Sequence, residues 1–316
     1  MRCLVLGGDG FLGSHLVESL AAAGHAVRSF RRSSAAGHSP LTSLHGNPPG
    51  TIEIFSGDFL SKDDLKRALE DVDVCYHLIS TTIASTSNAD PTFDVGTNVL
   101  GTLRLLETAV AAGTKRIVFA SSGGTVYGVP RSVPITEDHP TDPISSYGIT
   151  KLAIEKYLHL YHSLHGLDYV VLRLANPYGE RQRLLAQQGA VAVFLGRVLR
   201  GEEIVIWGDG EAVRDFVYVG DVIDAFVAAA EPLRTDERVL NIGSGCGCSL
   251  NMILDAIEAV TGRTTLRRYT PGRVFDVPVN VLDIAAARRS LGWAPQVDLK
   301  EGLRRFTAWI EQSGTL

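Results

Sequence analysis

"CLVLGGDGFLGSHLVESLAAAG" (residues 3–24) decides the fold. A short apolar run ends in glycine, and Gly7, Gly10 and Gly13 keep the spacing G-x-x-G-x-x-G. Beyond them Leu12, Leu16, Leu20 and Ala23 recur at helical spacing, and Gly24 suits the stop. Strand, glycine turn and helix in that order build a phosphate-binding corner. The turn needs residues free of Cβ so that a pyrophosphate can approach the backbone. The helix N-terminus adds unpaired N–H groups and partial positive charge. Gly7, Gly10, Phe11, Leu12 and Gly13 are therefore candidate contacts of a dinucleotide.

Outward from that corner, strand and helix patterns alternate. "HAVRSF" (25–30), "TIEIFSGD" (51–58), "VDVCYHLI" (72–79), "KRIVFASS" (115–122) and "YVVLRL" (169–174) read as strands. "SKDDLKRALEDV" opens at Ser61 with helix-start chemistry. Near-continuous apolar strands separated by helices imply a parallel sheet covered on both faces. The expected class is α/β, a Rossmann doubly wound parallel sheet. After about residue 176 helices become more frequent and strands shorter ("EIVIWG", "RVLNIG", "TTLRRY"). We expect an NAD(P)-binding Rossmann domain over 1–176, with a later return near 213–245. A smaller C-terminal α/β substrate domain is expected mainly over 177–316.

The 316 residues are 45% hydrophobic and 21% charged, an ordinary globular balance. The net charge of −5 argues against a nucleic-acid partner. No apolar run approaches the length of a membrane span. "MRCLVLGG" enters a strand at once and leaves no room for a secretory leader. Cys3 and Cys75 lie in apolar strands and read as buried thiols. Cys246 and Cys248 lack a second ligand pair, so no metal site is expected. A reduced, cytoplasmic enzyme fits these features.

"SSYGITKLAIEKYLHLYH" begins at Ser145. Tyr147 and Lys151 are four apart and share a helix face. A tyrosine of ordinary pKa, about 10, is a poor base at neutral pH. A nearby ammonium stabilises the phenolate and lowers that pKa. The same lysine can hydrogen-bond a ribose. The pair thus suits proton transfer beside a hydride carrier. Asp58, at the close of "SGDF", can accept from an adenine amino group or cap the turn that follows.

These motifs recur in a fixed order with "GDF", "NVLGT" (98–102), "TVYG" (125–128), "RLANPYG" (173–179), "VRDFVYVGDV" (213–222), "PGRVFDVP" and "LGWAP". Over nearly its whole length the chain resembles extended short-chain dehydrogenases/reductases, in the nucleotide-sugar epimerase/dehydratase family with UDP-glucose 4-epimerases. The resemblance implies Tyr147 as acid/base and Lys151 as its partner. It implies cofactor contacts at Asp58, Phe59, Leu78, Ile79, Ser80 and Asn98. Asn176, Arg214 and Arg273 resemble residues that grip a sugar diphosphate. Asp276 resembles the acid that binds the nucleotide ribose, and Trp207 falls where an aromatic packs near the base. The family also implies tightly bound NAD(H) or NADP(H), a nucleotide-sugar substrate, and a homodimer through the helices near 97–112 and 147–163. The expected reaction is 4-epimerisation of a UDP-hexose through a 4-keto sugar. The runner-up is NADPH-dependent reduction of a nucleotide-linked 4-keto-6-deoxy sugar. A dehydratase fits less well, because Gly124 and Thr125 stand where its acidic residues fall.

Two positions depart from the family pattern. The Ser or Thr that usually meets the reacting sugar hydroxyl is replaced by Gly123 in "FASSGGTVYG". Ser122, Thr125 or water must supply that hydroxyl. In "RSFRRSS" (28–34), Arg31 takes the slot of the acidic residue that reads the ribose of NAD. With Arg32 and Ser33 it can bind a 2′-phosphate, which leans toward NADP(H). The alternative is that the arginines face solvent and NAD binds without its usual acid.

Overall fold

Seven parallel strands form the centre of the computed structural model, which describes residues 1–32, 48–185, 189–272 and 277–315. The first six are β1 (Arg2–Leu6), β2 (Ala26–Arg32), β3 (Thr51–Gly57), β4 (Val74–His77), β5 (Arg116–Ser122) and β6 (Asp168–Leu174). Then come β7 (Asn176–Tyr178), β8 (Glu203–Trp207) and β9 (Val213–Tyr218), before β10 (Val239–Ile242) returns to the sheet. The order across it is β10-β6-β5-β4-β1-β2-β3. Strand order reverses between β1 and β4. That is where a ligand crevice opens outside the carboxyl ends of the strands.

The alternation within β1 shows why both faces must be covered. Cys3 and Val5 enter one hydrophobic cluster, with Leu16 and Leu20 of α1 (Phe11–Ala22). Leu4 and Leu6 enter the opposite cluster, with Leu65 of α2 (Lys62–Ala68). That second cluster also holds Leu105 of α4 (Leu100–Ala112) and Ile154 of α5 (Ser146–His165). All four strand residues are fully buried. A strand hydrophobic on both sides is stable only in such a sandwich.

The short helix α3 (Pro91–Asp94) runs through a π-helical turn, Val95–Val99, into α4. The remaining helices are α6 (Ala190–Arg200), α7 (Val219–Ala228), α8 (Leu250–Thr261), α9 (Ala285–Leu291) and α10 (Leu299–Ser313). A small sheet has the order β11-β9-β13, with β7 beside β9, where β11 is Gly247–Ser249 and β13 is Val279–Asn280. β12 (Leu266–Thr270) pairs with β8. The chain returns to the central sheet within 213–245. Within that span β10 joins it, whereas β9 aligns Phe216–Tyr218 with Asn176–Tyr178 of β7. No helix among the described residues is long and apolar enough to cross a membrane. Cys3 and Cys75 are buried, as their apolar strands imply.

Candidate active site

The glycine corner leaves β1 through Gly7, which has φ +86°, a conformation that disfavours any side chain. The N–H groups of Gly7 and Gly8 both donate to the Phe30 carbonyl at 3.1 Å, tying the turn to β2. A Cβ on Gly13 would lie 2.0 Å from the Gly7 carbonyl oxygen, so only glycine lets α1 start this close to the turn. No acidic residue occupies the first turn of α1 to oppose an anion. Backbone donors, a positive helix end and close backbone approach together suit a pyrophosphate. These residues therefore fit a dinucleotide.

A cavity of about 540 Å³ gathers residues from distant parts of the chain. Phe11 and Leu12, Leu78 and Ser80, Ser122 and Thr125, Tyr147 and Lys151, and Asn176 and Arg214 all line it. The sequence had placed these pairs in separate motifs.

The N-terminus of α5 is held from several directions. Ser145 caps it by accepting from the Gly148 N–H at 3.2 Å. The Ser146 and Tyr147 N–H groups donate to Asn88 Oδ1 (2.8 Å) and Ser87 Oγ (3.0 Å). These bonds satisfy donors that a helix start leaves without intrahelical partners. A Cβ on Gly148 would lie 2.8 Å from the Thr125 carbonyl oxygen, which explains the glycine after the tyrosine. One turn beyond Lys151, Glu155 is buried against Arg173 of β6 (2.6 Å) and accepts from Ser121 Oγ of β5 (2.5 Å). The base of the helix is thereby tied to two strands.

Lys151 is 5% exposed and donates to the Ala120 carbonyl at 2.8 Å. Its Nζ stands 4.7 Å from the Phe119 ring centroid and 5.5 Å from that of Tyr147. Burial lowers Lys151 to about 8, against the opposing charges of Asp94 and Glu155. The expectation that the ammonium lowers the tyrosine pKa does not hold in the protein alone. Burial pushes the Tyr147 phenol up to about 12, and Asp94 pushes the same way. The ammonium faces the ring and the Ala120 carbonyl, and the neighbour that pulls the phenol down is the Ser122 hydroxyl.

The Ser122 hydroxyl bears on Gly123. A Cβ there would lie 2.6 Å from Leu282 Cδ1, in a fully buried contact. Leu282 fills the space a serine or threonine would need. Ser122 meets Tyr147 instead. Thr125 Oγ1 is buried and finds no hydrogen-bond partner among the described residues.

Asn98 spends its side chain within the protein. It donates to Asp94 (2.7 Å) and Thr81 Oγ1 (2.9 Å), and accepts from the Thr81 N–H (3.0 Å). It thus fixes the loop after β4 that carries Leu78 and Ser80. Ile79 packs at Gly7, with its Cγ1 3.5 Å from the position of a Cβ there. Phe59 turns its side chain into the core against His77, so only its backbone can serve a ligand. Asp58 Oδ1 accepts from the Leu60 N–H at 2.9 Å, which is the turn role.

Arg31 lies at the end of β2 and donates from Nε to Ser56 Oγ at 3.2 Å, and Arg32 is exposed. Asn176 donates to the Asp215 carbonyl at 2.8 Å, and Arg214 to the Val213 carbonyl at 2.8 Å. Trp207 is 50% exposed at the end of β8 and is not among the cavity residues. Ser33, Arg273 and Asp276 lie outside the described residues. Sequence reasoning missed Ser87, Asn88, Asp94 and Arg173, which hold α5 from other elements, and Glu155, the α5 residue that Arg173 meets.

Comparison with known proteins gives one consistent answer. The model of the NAD dependent epimerase/dehydratase family matches residues 3–243. The UDP-glucose 4-epimerase of Mycolicibacterium smegmatis is 39% identical over 307 residues, covering 96% of this chain and 97% of the relative. The crystal structure of Thermotoga maritima UDP-glucose 4-epimerase with UDP-glucose superposes with a TM-score of 0.91 at 37% identity, covering 99% of each chain. The Thermus thermophilus UDP-glucose 4-epimerase complex with NAD gives 0.88 at 34% identity, covering 98% of this chain and 99% of that one. With its glycine corner, its parallel sheet and its Tyr147–Lys151 pair, the chain belongs to the NAD dependent epimerase/dehydratase family.

Proposed function

We propose that the protein is an NAD(P)-dependent nucleotide-sugar epimerase that inverts C4 of a UDP-hexose. The carrying observation is one cavity lined by Ser122, Tyr147 and Lys151 and also by Asn176 and Arg214. The first three suit proton transfer, and the last two suit a diphosphate. The similarity to UDP-glucose 4-epimerases supports the same reading.

The dinucleotide, when bound, supplies the hydride exchange at C4. Tyr147 accepts the C4 hydroxyl proton as the ketone forms and returns it as the alcohol is rebuilt. Ser122 lines the cavity with Tyr147 and takes the part usually played by a hydroxyl at position 123. Lys151 supplies buried positive charge beside the tyrosine ring and keeps donors for a ribose. Arg214 and Asn176 hold the diphosphate while the sugar turns over. Arg273, Asp276 and Trp207 complete the nucleotide subsite in this reading. Gly7, Gly10, Gly13, Phe11 and Leu12 hold the pyrophosphate of a tightly bound cofactor. Asp58, Phe59, Ile79 and Asn98 complete its site.

Arg31 makes NADP(H) an acceptable cofactor, with Arg32 and Ser33 beside it. This keeps one competing reading, NADPH-dependent reduction of a nucleotide-linked 4-keto-6-deoxy sugar. Residues 1–176 and β10 serve the cofactor in this proposal, and 177–316 mainly the sugar nucleotide. A homodimer is supported by exposed apolar side chains on adjoining helices, Val95, Leu100, Ile149, Leu160 and Leu164. Buried free thiols at Cys3 and Cys75 support a cytoplasmic setting. The test is interconversion of UDP-glucose and UDP-galactose with no cofactor added, lost in Tyr147→Phe. Consumption of NADPH by a 4-keto sugar, without interconversion, transfers the assignment to the reductase.

A further inference from the structure

One carboxylate reaches both residues that precede the catalytic pair. Asp94, at the end of α3, is fully buried. Its Oδ2 accepts from Ser146 Oγ at 2.7 Å, and Ser146 immediately precedes Tyr147. Its Oδ1 lies 3.4 Å from Thr150 Oγ1, whose hydroxyl is shared with the nearer Tyr147 carbonyl at 2.9 Å, and Thr150 immediately precedes Lys151. The same Oδ1 accepts from Thr82 Oγ1 and Asn98 Nδ2, each at 2.7 Å. Asp94 stands directly before the π-helical turn that contains Asn98. Such turns are rare and frequently lie at functional sites.

Burying a carboxylate is costly unless donors converge on it. Four do here, from the loop after β4, from the π-helical turn and twice from α5. An ordinary structural role needs no charge at this spot. A neutral amide of the same shape can accept from Asn98 and Thr82 and donate to the Ser146 hydroxyl.

We propose that Asp94 is a positioning residue of the reaction: as a carboxylate it ties the helix carrying Tyr147 and Lys151 to the cofactor loop and sets a negative charge against that helix. The proposal rests on the acid/base reading of Tyr147 and Lys151. The charged and titratable groups around Lys151 are Asp94, Glu155 of α5, His77 of β4 and Tyr147. Burial holds His77 down to about 3, so it stays neutral. Asp94 and Glu155 both pull Lys151 upward, against its burial. Glu155 is already spent on Arg173.

The experiment compares wild type with Asp94→Asn and Asp94→Ala as purified holoenzyme. The Lys151 ammonium is titrated by NMR of isotope-labelled lysine and assigned by its loss in Lys151→Met. For Asp94→Asn the proposal expects a lower Lys151 midpoint, a retained melting temperature and kcat lower by about tenfold or more with KM nearly unchanged. Asp94→Ala loses more activity. If Asp94→Asn does not fold, Ser146→Ala and Thr150→Val remove the two ties to α5 singly, and each is expected to lower kcat. An unchanged Lys151 midpoint in Asp94→Asn, or wild-type kcat in all of these variants, overturns the proposal. A wild type that turns over no nucleotide sugar sinks the epimerase reading, while the titration still decides the role of Asp94.

Discussion

Lys151 holds its ammonium 5.5 Å from the Tyr147 ring centroid and donates to the Ala120 carbonyl. The pair is therefore set for proton transfer but tuned the wrong way by the protein alone. Burial leaves the phenol near 12 and the ammonium near 8. Filling the cavity must supply the rest.

This burial has a stability consequence. The folded pKa of Lys151, about 8, lies below its ordinary 10.5. The unfolded chain therefore binds the proton more tightly, and the penalty is full below pH 8. It fades as pH rises toward 10.5, so this group's contribution to stability improves over that window. The shift corresponds to about 3 kcal/mol. Lys151→Met, in cofactor-stripped protein at pH 7, should gain roughly 1–3 kcal/mol after loss of the Ala120 bond, while turnover disappears. Denaturant melts at pH 7 and above pH 9 check this. A variant less stable than wild type at pH 7 contradicts it.

The missing hydroxyl at Gly123 makes Ser122 and Thr125 separable. Ser122→Ala should lower kcat about tenfold to a hundredfold, because it removes the hydroxyl that lowers the Tyr147 phenol. Thr125→Val removes a hydroxyl with no partner among the described residues and should cost much less. The reverse ranking in steady-state kinetics would assign the hydroxyl to Thr125. Gly123→Ser should not raise kcat. Its Cβ meets Leu282, and overpacking of that kind costs about 1–3 kcal/mol in a melt.

Arg31 is anchored to Ser56 at the tip of β2. Arg31→Asp should weaken NADP(H) relative to NAD(H) by about tenfold or more, the value of losing a charge-assisted bond. Binding titrations of stripped protein with both cofactors give the ratio. An unchanged ratio means that Arg31 does not read the 2′-phosphate.

Leu160 and Leu164 are exposed on α5, far along the helix from Tyr147. Leu160→Glu with Leu164→Glu should convert a dimer to a monomer by light scattering. A dimer of unchanged mass would move the interface elsewhere.

The sheet was legible because its signals are local. Gly7 to Gly13 and the Leu12, Leu16, Leu20 spacing specify a strand–turn–helix unit within one short window. Tyr147 and Lys151 were legible for the same reason, being one helical turn apart. Asp94, Asn88 and Ser87 were not, since they reach α5 across 52, 58 and 60 residues. Such contacts leave no periodicity to read. Gly123 could be seen as a departure, but its cause is Leu282, brought against it only by the fold.

In the proposed reaction one cavity holds both a resident dinucleotide and a nucleotide sugar, with Tyr147 between them in the chemistry. The most direct measurement is turnover of UDP-galactose by the purified protein with no cofactor added, alongside Tyr147→Phe and identification of any dinucleotide released on denaturation. The account predicts UDP-glucose from the wild type, none from Tyr147→Phe, and NAD or NADP in the released fraction of both. Interconversion that survives in Tyr147→Phe, or a wild type that binds dinucleotide and leaves UDP-galactose untouched, would contradict it.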